Sequence, residues 1–306
     1  MKLSVFDAHC DTISRCLDTG EHLSGSRGMV DLNRTGAAFD RYCQFFALYA
    51  DCGAESHPTY EELLACFRRE MARSCGQIAA CTTASQAIEA NRAGKAAAFL
   101  TVEGGELLNC DPERLPQAAA DGVVAINLTW NHANALSGSH CDNPRQGLTE
   151  HGVRFLDRMG ELGILADVSH LSDPGFWDVA ERSRLPVIAS HSNARSICGH
   201  TRNLTDEQIT AIIKSGGVIG LNFFWLFLGL GKDLDAVRAH LDHILDLGGA
   251  HAAALGGDWD GCDPIAALPD ITALASLYEH LLAHGYGETL LHRLFYQNLM
   301  DVVSKR

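Results

Sequence analysis

Eight short apolar runs, separated by amphipathic stretches, are the feature of this 306-residue chain that most limits its fold. Most of them are nearly continuous in Val, Ile, Leu, Ala and Phe, as is typical of parallel strands buried on both faces. The predicted strands are Leu3–Phe6, Cys43–Leu48, Ala96–Val102, Val123–Leu128, Ile164–Val168, Pro186–Ala189, Val218–Asn222 and Ala252–Leu255. Strands alternating with helices in this number predict an α/β fold, a (β/α)8 TIM barrel. An open doubly wound sheet is the alternative.

The segments between the strands carry helical periodicity. The clearest amphipathic patterns are Tyr60–Ser74, Glu150–Gly160, Phe176–Ser183, Thr205–Lys214 and Leu234–Leu247. Ile271–Ala283 and Glu288–Val303 are interpreted as two closing helices, so that residues 1–306 form a single domain. No glycine-rich dinucleotide fingerprint follows the first strand and no P-loop sequence occurs, which disfavours nucleotide-binding folds.

The amino-acid composition indicates which partners and which cellular compartment to expect. A formal net charge of −14 argues against a nucleic-acid partner, because phosphates would be repelled. The eleven cysteines are odd in number and lack a C-x-x-C pair, which favours reduced thiols in the cytoplasm. We expect no membrane association: the chain starts on a strand, its end carries no apolar tail, and its longest apolar stretch, Val218–Leu230, is too short to span a bilayer.

Polar side chains recur where the predicted strands end. His9 and Asp11 follow the first strand with spacing i, i+2, which projects both from one face of a strand. Glu103 ends the third strand, and His170 and His191 follow the fifth and sixth. In a parallel barrel all of these strand ends meet at one mouth. Three imidazoles and two carboxylates there can bind two zinc ions if one carboxylate bridges them.

Each residue also has a simpler interpretation. His170 and His191 could be core histidines bonded to the backbone, and Glu103 could be a turn residue, with Glu106 and Asp260 as near-miss alternatives to Glu103 and Asp258. Asp167 is interpreted as capping a turn or supporting the site from behind the ligands. The remaining histidines in loops and helical patterns are interpreted as solvated or packed: His22, His57, His240, His243, His280, His284 and His292.

Six segments together resemble one known family, the renal (membrane) dipeptidases, dinuclear zinc peptidases of the amidohydrolase superfamily. These segments are Asp7-Ala8-His9-Cys10-Asp11-Thr12, Val102-Glu103-Gly104-Gly105, Trp130-Asn131-His132-Ala133-Asn134, Asp167-Val168-Ser169-His170, Ser190-His191-Ser192 and Gly257-Asp258-Trp259-Asp260-Gly261. They occur in the same order and span nearly the whole chain. The resemblance implies a (β/α)8 metal-dependent hydrolase that cleaves dipeptides, including ones with a D-residue at the C-terminal position.

The resemblance also implies a role for each site residue. His9, Asp11 and Glu103 would bind one zinc ion, and Glu103, His170 and His191 the other, with Glu103 and a hydroxide bridging. The remaining roles concern the substrate: His132 would lie over the scissile carbonyl and stabilise the oxyanion, Arg202 would bind the terminal carboxylate, and Asp258 would bind the amine or transfer the proton. A homodimer is implied as well, with Phe223–Phe227 either a contact surface or a buried cap.

Two departures from the family pattern stand out. Cys10 replaces the usual Asn between the first two ligands, and its side chain is expected to point away from the metals. Asp301 replaces an Arg in the late Asn298–Asp301 stretch. Rival functions are deamination or lactone hydrolysis on the same barrel, a metal-binding scaffold without activity and, less favoured, a cysteine-based redox protein.

Overall fold

The computed structural model describes residues 3–229, 231 and 233–306, and within them a closed barrel of parallel strands forms the centre. The strands are β1 (Leu3–Cys10), β2 (Phe39–Tyr49), β3 (Ile78–Ala80), β4 (Ala96–Glu103), β5 (Val123–Asn127), β6 (Leu165–Asp167), β7 (Ile188–Ala189), β8 (Val218–Leu221) and β9 (Ala253–Leu255). Strand β1 pairs with β2 and β9, and the pairing of β2 with β4 closes the ring. The predicted (β/α)8 barrel is therefore confirmed.

Helices follow the strands around the ring. They are α1 (Thr12–Thr19), α2 (Leu32–Ala38), α3 (Tyr60–Arg73), α4 (Ala84–Arg92), α5 (Leu115–Asp121), α6 (Glu150–Glu161), α7 (Asp173–Arg182), α8 (Asp206–Ser215), α9 (Trp225–Leu228), α10 (Leu234–Asp246), α11 (Leu274–Ala283), α12 (Glu288–His292) and α13 (Asn298–Val303). The five predicted amphipathic helices correspond to α3, α6, α7, α8 and α10, with ends that differ by a few residues. A capping box between Thr205 and Gln208 starts α8, as favoured by a Thr three residues before Gln.

The two closing helices are present but interrupted. A 3₁₀ turn at Ile271–Ala273 leads into α11, and a π-helical segment at Arg293–Gln297 joins α12 to α13. Asp301 accepts hydrogen bonds from Arg293 and Gln297, so the residue that departs from the family pattern joins α13 to the π-helical segment before it.

Strand β3 was not predicted from the sequence. It pairs along Ile78–Ala80 with the first three residues of β4 and lies outside the closed ring. Three residues with one branched side chain carry too little periodicity to be recognised as a strand.

The barrel interior is packed with apolar side chains. One hydrophobic cluster takes residues from every barrel strand, as such a barrel requires: Phe6, Phe45, Phe99, Val124, Leu165, Ile188, Val218 and Ala254. The Phe6 ring stacks on Phe99 at 5.3 Å between centroids and meets Phe45 edge-on at 5.4 Å. Tyr296 and Leu299 of the C-terminal segment belong to the same cluster. The base of the barrel is thus closed, which leaves the strand ends at the other side for the polar groups.

The cysteines and the long apolar stretch bear on the expected compartment. All eleven cysteines are free thiols. Among residues 3–229, 231 and 233–306, none of the helices combines the length and the apolar content that a bilayer crossing needs. The apolar stretch predicted at Val218–Leu230 contains β8 and α9, and Leu230 itself lies outside the described residues.

The buried His240 of α10 should make the stability of the fold sensitive to acid. The ring is fully buried, its Nδ1 accepts from the Ala194 N–H at 3.1 Å, and burial lowers its pKa to about 4. Between pH 6.5 and 4 the unfolded chain binds a proton that the folded chain does not, so stability falls by about 3 kcal/mol over this range. Urea unfolding at pH 7 and pH 4.5 measures the loss. His240→Gln should show a smaller loss than the parent, whereas equal losses would contradict this assignment.

Candidate metal centre and active site

Five predicted ligands, carried by four strand ends, converge at the carboxyl end of the barrel. His9 Nε2 lies 3.7 Å from Asp11 Oδ1 and 3.3 Å from Glu103 Oε2. On the other carboxylate oxygen, Glu103 Oε1, His170 Nε2 lies at 2.9 Å and His191 Nε2 at 3.5 Å. All five side chains are buried. The two oxygens of Glu103 therefore face different histidines, the arrangement expected of a bridging carboxylate.

The ligand atoms of these side chains are placed to bind a cation rather than to form hydrogen bonds with one another. The Nε2 atoms of His170 and His191 are only 3.0 Å apart. The Nδ1 of His170 lies 2.9 Å from the carbonyl oxygen of the Asn131 side chain, and the Nδ1 of His191 lies 2.7 Å from the Ser190 hydroxyl. The Asn131 contact places the His170 proton on Nδ1, and the same tautomer of His191 is compatible with Ser190. The Nε2 lone pairs of His170 and His191 would then face each other and the Glu103 carboxylate. A positive ion between these atoms would remove their mutual repulsion.

Unpartnered buried atoms support the same conclusion. His9 Nε2 and Asp11 Oδ1 have no hydrogen-bond partner among the described residues although both are buried. Such groups are costly unless a ligand satisfies them. His9, Glu103 and His191 form one group whose ligand atoms lie within 4.8 Å of one another, and His9, Asp11 and Asp258 form another.

The protonation states are set by burial and by the neighbouring charges. Burial holds the pKa values of His170 and His191 well below the usual range, so both are neutral and able to bind a metal. Burial raises the pKa of Glu103 to about 7. For His9 burial lowers the pKa, but Glu103 and Asp11 outweigh it and hold the pKa well above its usual value. A metal must therefore displace a proton from this group, and binding weakens as pH falls.

Asp258 lies beside the predicted metal ligands, shortly after β9. Its Oδ1 is 3.9 Å from His9 Nε2, and its Oδ2 accepts from the Asn222 side chain at 3.1 Å. Burial raises its pKa. A Cβ on Gly261 would come within 2.0 Å of Asp11 Oδ2 and 2.5 Å of Asp258 Oδ1, so only glycine lets the two carboxylates approach here.

Two residues at this site also have a strained backbone. His170 has φ +73° and Asp258 has φ +58°, in the left-handed region that non-glycine residues rarely adopt. Such conformations persist where the surrounding structure holds a functional group in position. The strain is therefore consistent with side chains directed into a site.

Asp7 is a further buried carboxylate, and sequence reasoning gave it no role. Oδ1 accepts from the His9 N–H and the Gln44 side chain, both at 3.1 Å. Oδ2 accepts from the Gly257 N–H at 2.9 Å and the Trp259 indole N–H at 3.1 Å. Asp7 thus joins β1 to the segment after β9 and orients the backbone that carries His9 and Asp258.

Asp7→Asn should destabilise the fold. The amide nitrogen would replace one carboxylate oxygen and face two N–H donors, leaving buried donors unpaired at a cost of about 3 kcal/mol. Urea unfolding measures this loss, with Asp18→Asn on the exposed side of α1 as the matched control, expected within about 0.5 kcal/mol of the parent. An Asp7→Asn protein as stable as the parent would contradict the role given to these four hydrogen bonds.

The other acidic candidates have partners that account for them. Asp167 Oδ1 accepts from the Ser169 and Ser190 N–H groups, both at 3.0 Å, so it supports the segments that carry His170 and His191. Glu106 Oε2 accepts from the Asn134 side chain at 2.6 Å. These contacts agree with the supporting role predicted for Asp167, and they separate Glu106 from the ligand group.

Asp260 and Cys10 are also accounted for. Asp260 accepts from the Met29 N–H and the Thr12 hydroxyl, both at 2.7 Å. Cys10 is fully buried within an apolar cluster with Ile13 and Leu48, and burial raises its pKa. Neither belongs to the groups of donor atoms that could bind a metal among the described residues.

Arg202 is a buried guanidinium with free donors. It is 3% exposed, and its Nη1 donates at 2.7 Å to the hydroxyl of Ser192, which directly follows the predicted ligand His191. Nε and Nη2 have no hydrogen-bond partner among the described residues. Burial lowers its pKa to about 10, so it keeps its charge at neutral pH. A buried cation with unpaired donors calls for an anion.

His132 is not brought into the ligand group. Its side chain is half-exposed, and Nε2 lies 3.3 Å from Asp51 Oδ1. The ring packs edge-on against Trp130 at 5.6 Å, and Trp130 lines the cavity over the ligands. His132 is thus not among the residues that line the cavity.

The cavity at the mouth has a volume of about 550 Å³. Its charged lining is mostly acidic and includes Asp11, Glu103 and Asp258, with Arg15 as the cation. Its apolar wall consists of Met29, Tyr49, Trp130, Phe224 and Phe227. A cavity of this size accommodates a small molecule of a few residues with an amine at the acidic side.

Several residues that contact the predicted ligands or line the cavity were not recognised from the sequence. Asn131 and Ser190 lie within the segments quoted above, but their contacts to ligand nitrogens depend on the fold. Tyr49 ends β2, and Phe224 lies in the apolar Phe223–Phe227 run, where the sequence does not distinguish a cavity-lining aromatic residue from a core residue. A wall built from separate loops leaves no local pattern.

Comparisons with known proteins agree with this geometry. The whole chain, residues 1–306, matches the family described as membrane dipeptidase (peptidase family M19). A Klebsiella pneumoniae protein, described as an uncharacterized protein in the pqqA 5′ region, is 34% identical over 254 residues, covering 79% of this chain and 93% of that protein.

Two solved structures are similar over 100% of this chain and 99% of theirs, each at 28% identity. One is a metallo peptidase from Rhodobacter sphaeroides liganded with a phosphinate mimic of the dipeptide L-Ala-D-Ala, at a TM-score of 0.89. The other, at a TM-score of 0.90, is described as the dipeptidase AC, a metallo peptidase of family M19.

Proposed function

Because this chain belongs to the membrane dipeptidase family, M19, and is a metallodipeptidase, we propose that it cleaves dipeptides at a two-zinc centre. The observation that carries the proposal is the meeting of five buried donor residues around the Glu103 carboxylate. His9, Asp11 and Glu103 would bind one ion, and Glu103, His170 and His191 the other. Nitrogen and oxygen donors of this kind suit zinc. Membership of the family favours this function over deamination, lactone hydrolysis or a scaffold without activity.

The chemistry divides between the metal and the protein. When bound, the metal supplies an activated water and polarises the scissile carbonyl. Asp258 accepts a proton from the water and returns it to the leaving nitrogen, because its Oδ1 lies beside the ligand group and burial raises its pKa. Asn222 holds the other oxygen of Asp258 and so orients it.

Arg202 would bind the C-terminal carboxylate of the substrate. Its Nε and Nη2 are unpaired, and a guanidinium binds a carboxylate through two parallel hydrogen bonds. Ser192 fixes the orientation of the guanidinium relative to the adjacent ligand His191.

His132 is proposed as the donor to the oxyanion, which requires its ring to leave Asp51 and enter the cavity. His132→Ala should lower kcat about 100-fold while metal content stays unchanged, in line with the loss of one oxyanion donor. Steady-state kinetics and metal analysis on the same preparation check this. A kcat within a factor of two of the parent would remove His132 from the mechanism and leave the metal centre intact.

Substrates with a D-residue at the second position are part of the proposal. The Rhodobacter sphaeroides metallo peptidase, similar over the whole chain, is liganded with a mimic of L-Ala-D-Ala. The test is a panel of L-Ala-D-Ala, L-Ala-L-Ala, the C-terminal amide and the N-acetyl derivative. We expect release of free amino acids from both dipeptides and at least tenfold slower turnover of the blocked ones. Turnover of the amide as fast as the free dipeptide, or no turnover at all, would contradict the proposal.

The cytoplasmic setting and the homodimer are also proposals. Within Phe223–Phe227, Phe223 is fully buried against Trp259, whereas Trp225 and Leu226 are 39% and 41% exposed. The segment is therefore partly buried and partly an exposed apolar surface. We propose that this exposed surface, at Trp225 and Leu226, contributes to the contact between two copies of the chain. Sedimentation analysis of the full chain tests the dimer, and a monomer at micromolar concentration would contradict it.

A further inference from the structure

A second cluster of possible ligand atoms lies on the outer layer of helices. His280 and His284 are one turn apart near the end of α11, and Asp235 is at the start of α10. His280 Nε2 lies 3.1 Å from Asp235 Oδ1, and His284 Nε2 lies 3.9 Å from the same oxygen. The three residues each offer a donor atom within 4.8 Å of the others. None of them lines the catalytic cavity.

The geometry brings the Nε2 atoms of both histidines to one carboxylate oxygen, Asp235 Oδ1. His280 Nε2 donates to this oxygen, so binding of an ion there requires the His280 proton to move to Nδ1. Histidines at i and i+4 share a helix face, and the rings of His280 and His284 are 4.3 Å apart between centroids. His284 Nδ1 lies 2.8 Å from the His280 carbonyl oxygen, so Nδ1 must donate. Nε2 of His284 is then the acceptor, and it faces Asp235. This arrangement cannot be recognised in the sequence, because Asp235 is 45 residues from His280.

We propose that Asp235, His280 and His284 form a peripheral binding site for one transition-metal ion of the zinc or nickel type, joining α10 to α11. Two imidazoles and one carboxylate are a common donor set for such ions. The three side chains are 53%, 22% and 41% exposed, which leaves water free to complete the coordination. The site is independent of the catalytic centre, and the ion stabilises the fold by joining two helices.

The competing arrangement is a plain ion-pair cluster. Arg238 Nε donates to Asp235 Oδ1 at 2.9 Å, and Arg238 Nη1 also pairs with Asp242 at 3.2 Å. An ion bound at the site shares Asp235 with Arg238, which makes the site weaker than the buried centre. An ion-pair cluster alone would show no response to added metal, and this difference is measurable.

The test compares His280→Gln and His284→Gln with the parent and with His292→Gln, an exposed histidine of α12 outside the cluster. Each protein is first loaded with zinc at its catalytic centre and then dialysed against increasing Ni²⁺ or Zn²⁺. Bound metal is measured by mass spectrometry and thermal unfolding by calorimetry. Dipeptide hydrolysis is measured as a control and should be equal in all four proteins.

The parent and His292→Gln should bind one more ion per chain than either cluster variant. Their Tm should rise with added ion by roughly 2 °C or more, while the cluster variants do not respond. Equal metal content and equal Tm response in the parent and both cluster variants would overturn the site. Because only the difference from the parent is used, the result does not depend on the number of catalytic ions.

Discussion

Glu103→Gln should remove bound zinc and dipeptide hydrolysis together. The glutamine loses the negative charge that faces His9 on one side and His170 and His191 on the other, and it can no longer bridge through two equivalent oxygens. Mutation of a residue that only hydrogen-bonds to a metal ligand lowers metal affinity about 10–100-fold. Loss of the shared ligand itself should therefore lower zinc affinity by more than about 100-fold. Equilibrium dialysis with metal analysis, followed by kinetics on the same sample, measures both effects.

Glu106→Gln is the matched control for this experiment. Glu106 lies three residues further along and is partly buried, and burial raises its pKa as it does that of Glu103. It contacts Asn134 rather than the predicted ligands. We expect this variant to keep its zinc and most of its activity. If Glu103→Gln retained its zinc and its activity, or if Glu106→Gln lost its zinc and its activity, the bridging role assigned to Glu103 would be wrong.

Arg202→Ala should raise KM for dipeptides about 100-fold with little change in zinc content. The variant loses two charge-assisted hydrogen bonds to the substrate carboxylate, together about 3 kcal/mol. Arg202→Lys keeps the charge but not the forked geometry and should fall between Arg202→Ala and the parent. Steady-state kinetics of all three proteins, with metal analysis, check the series.

A substrate without the carboxylate provides the control for Arg202. The C-terminal amide should be hydrolysed with the same KM by the parent and by Arg202→Ala, because neither can form the clamp. A KM for the free dipeptide that is unchanged in Arg202→Ala would disprove the clamp. A large change with the amide as well would show that Arg202 acts through the structure of the site instead.

Most of the barrel could be predicted because each of its strands lies in an apolar run of four or more residues, even where the strand itself has only two or three residues, as in β6, β7 and β9. Runs such as Ala96–Val102 correspond to the observed β4 within a residue. The donors at the strand ends could be predicted for a topological reason: parallel strands of a closed barrel deliver their carboxyl ends to one place. The resemblance then predicted which polar residue at each strand end belongs to the site.

What the sequence could not reveal depends on contacts between distant segments. Asp7 is bound by groups from β2 and from the segment after β9, which only the closed ring brings together. Asn131 orients His170 across 39 residues. His132 follows the family pattern in sequence, yet in the structure its ring is paired with Asp51, a contact between two loops. Loop conformation, unlike strand order, is not determined by local periodicity.

Anomalous diffraction at the zinc edge, from crystals of protein shown to hydrolyse dipeptides, decides whether Glu103 bridges two metal ions. We expect two anomalous peaks, one on each side of the Glu103 carboxylate, with His9 and Asp11 at the first and His170 and His191 at the second. Active crystals in which the only ions lie away from Glu103, or in which a single ion binds without contacting it, would show that Glu103 is not the bridge.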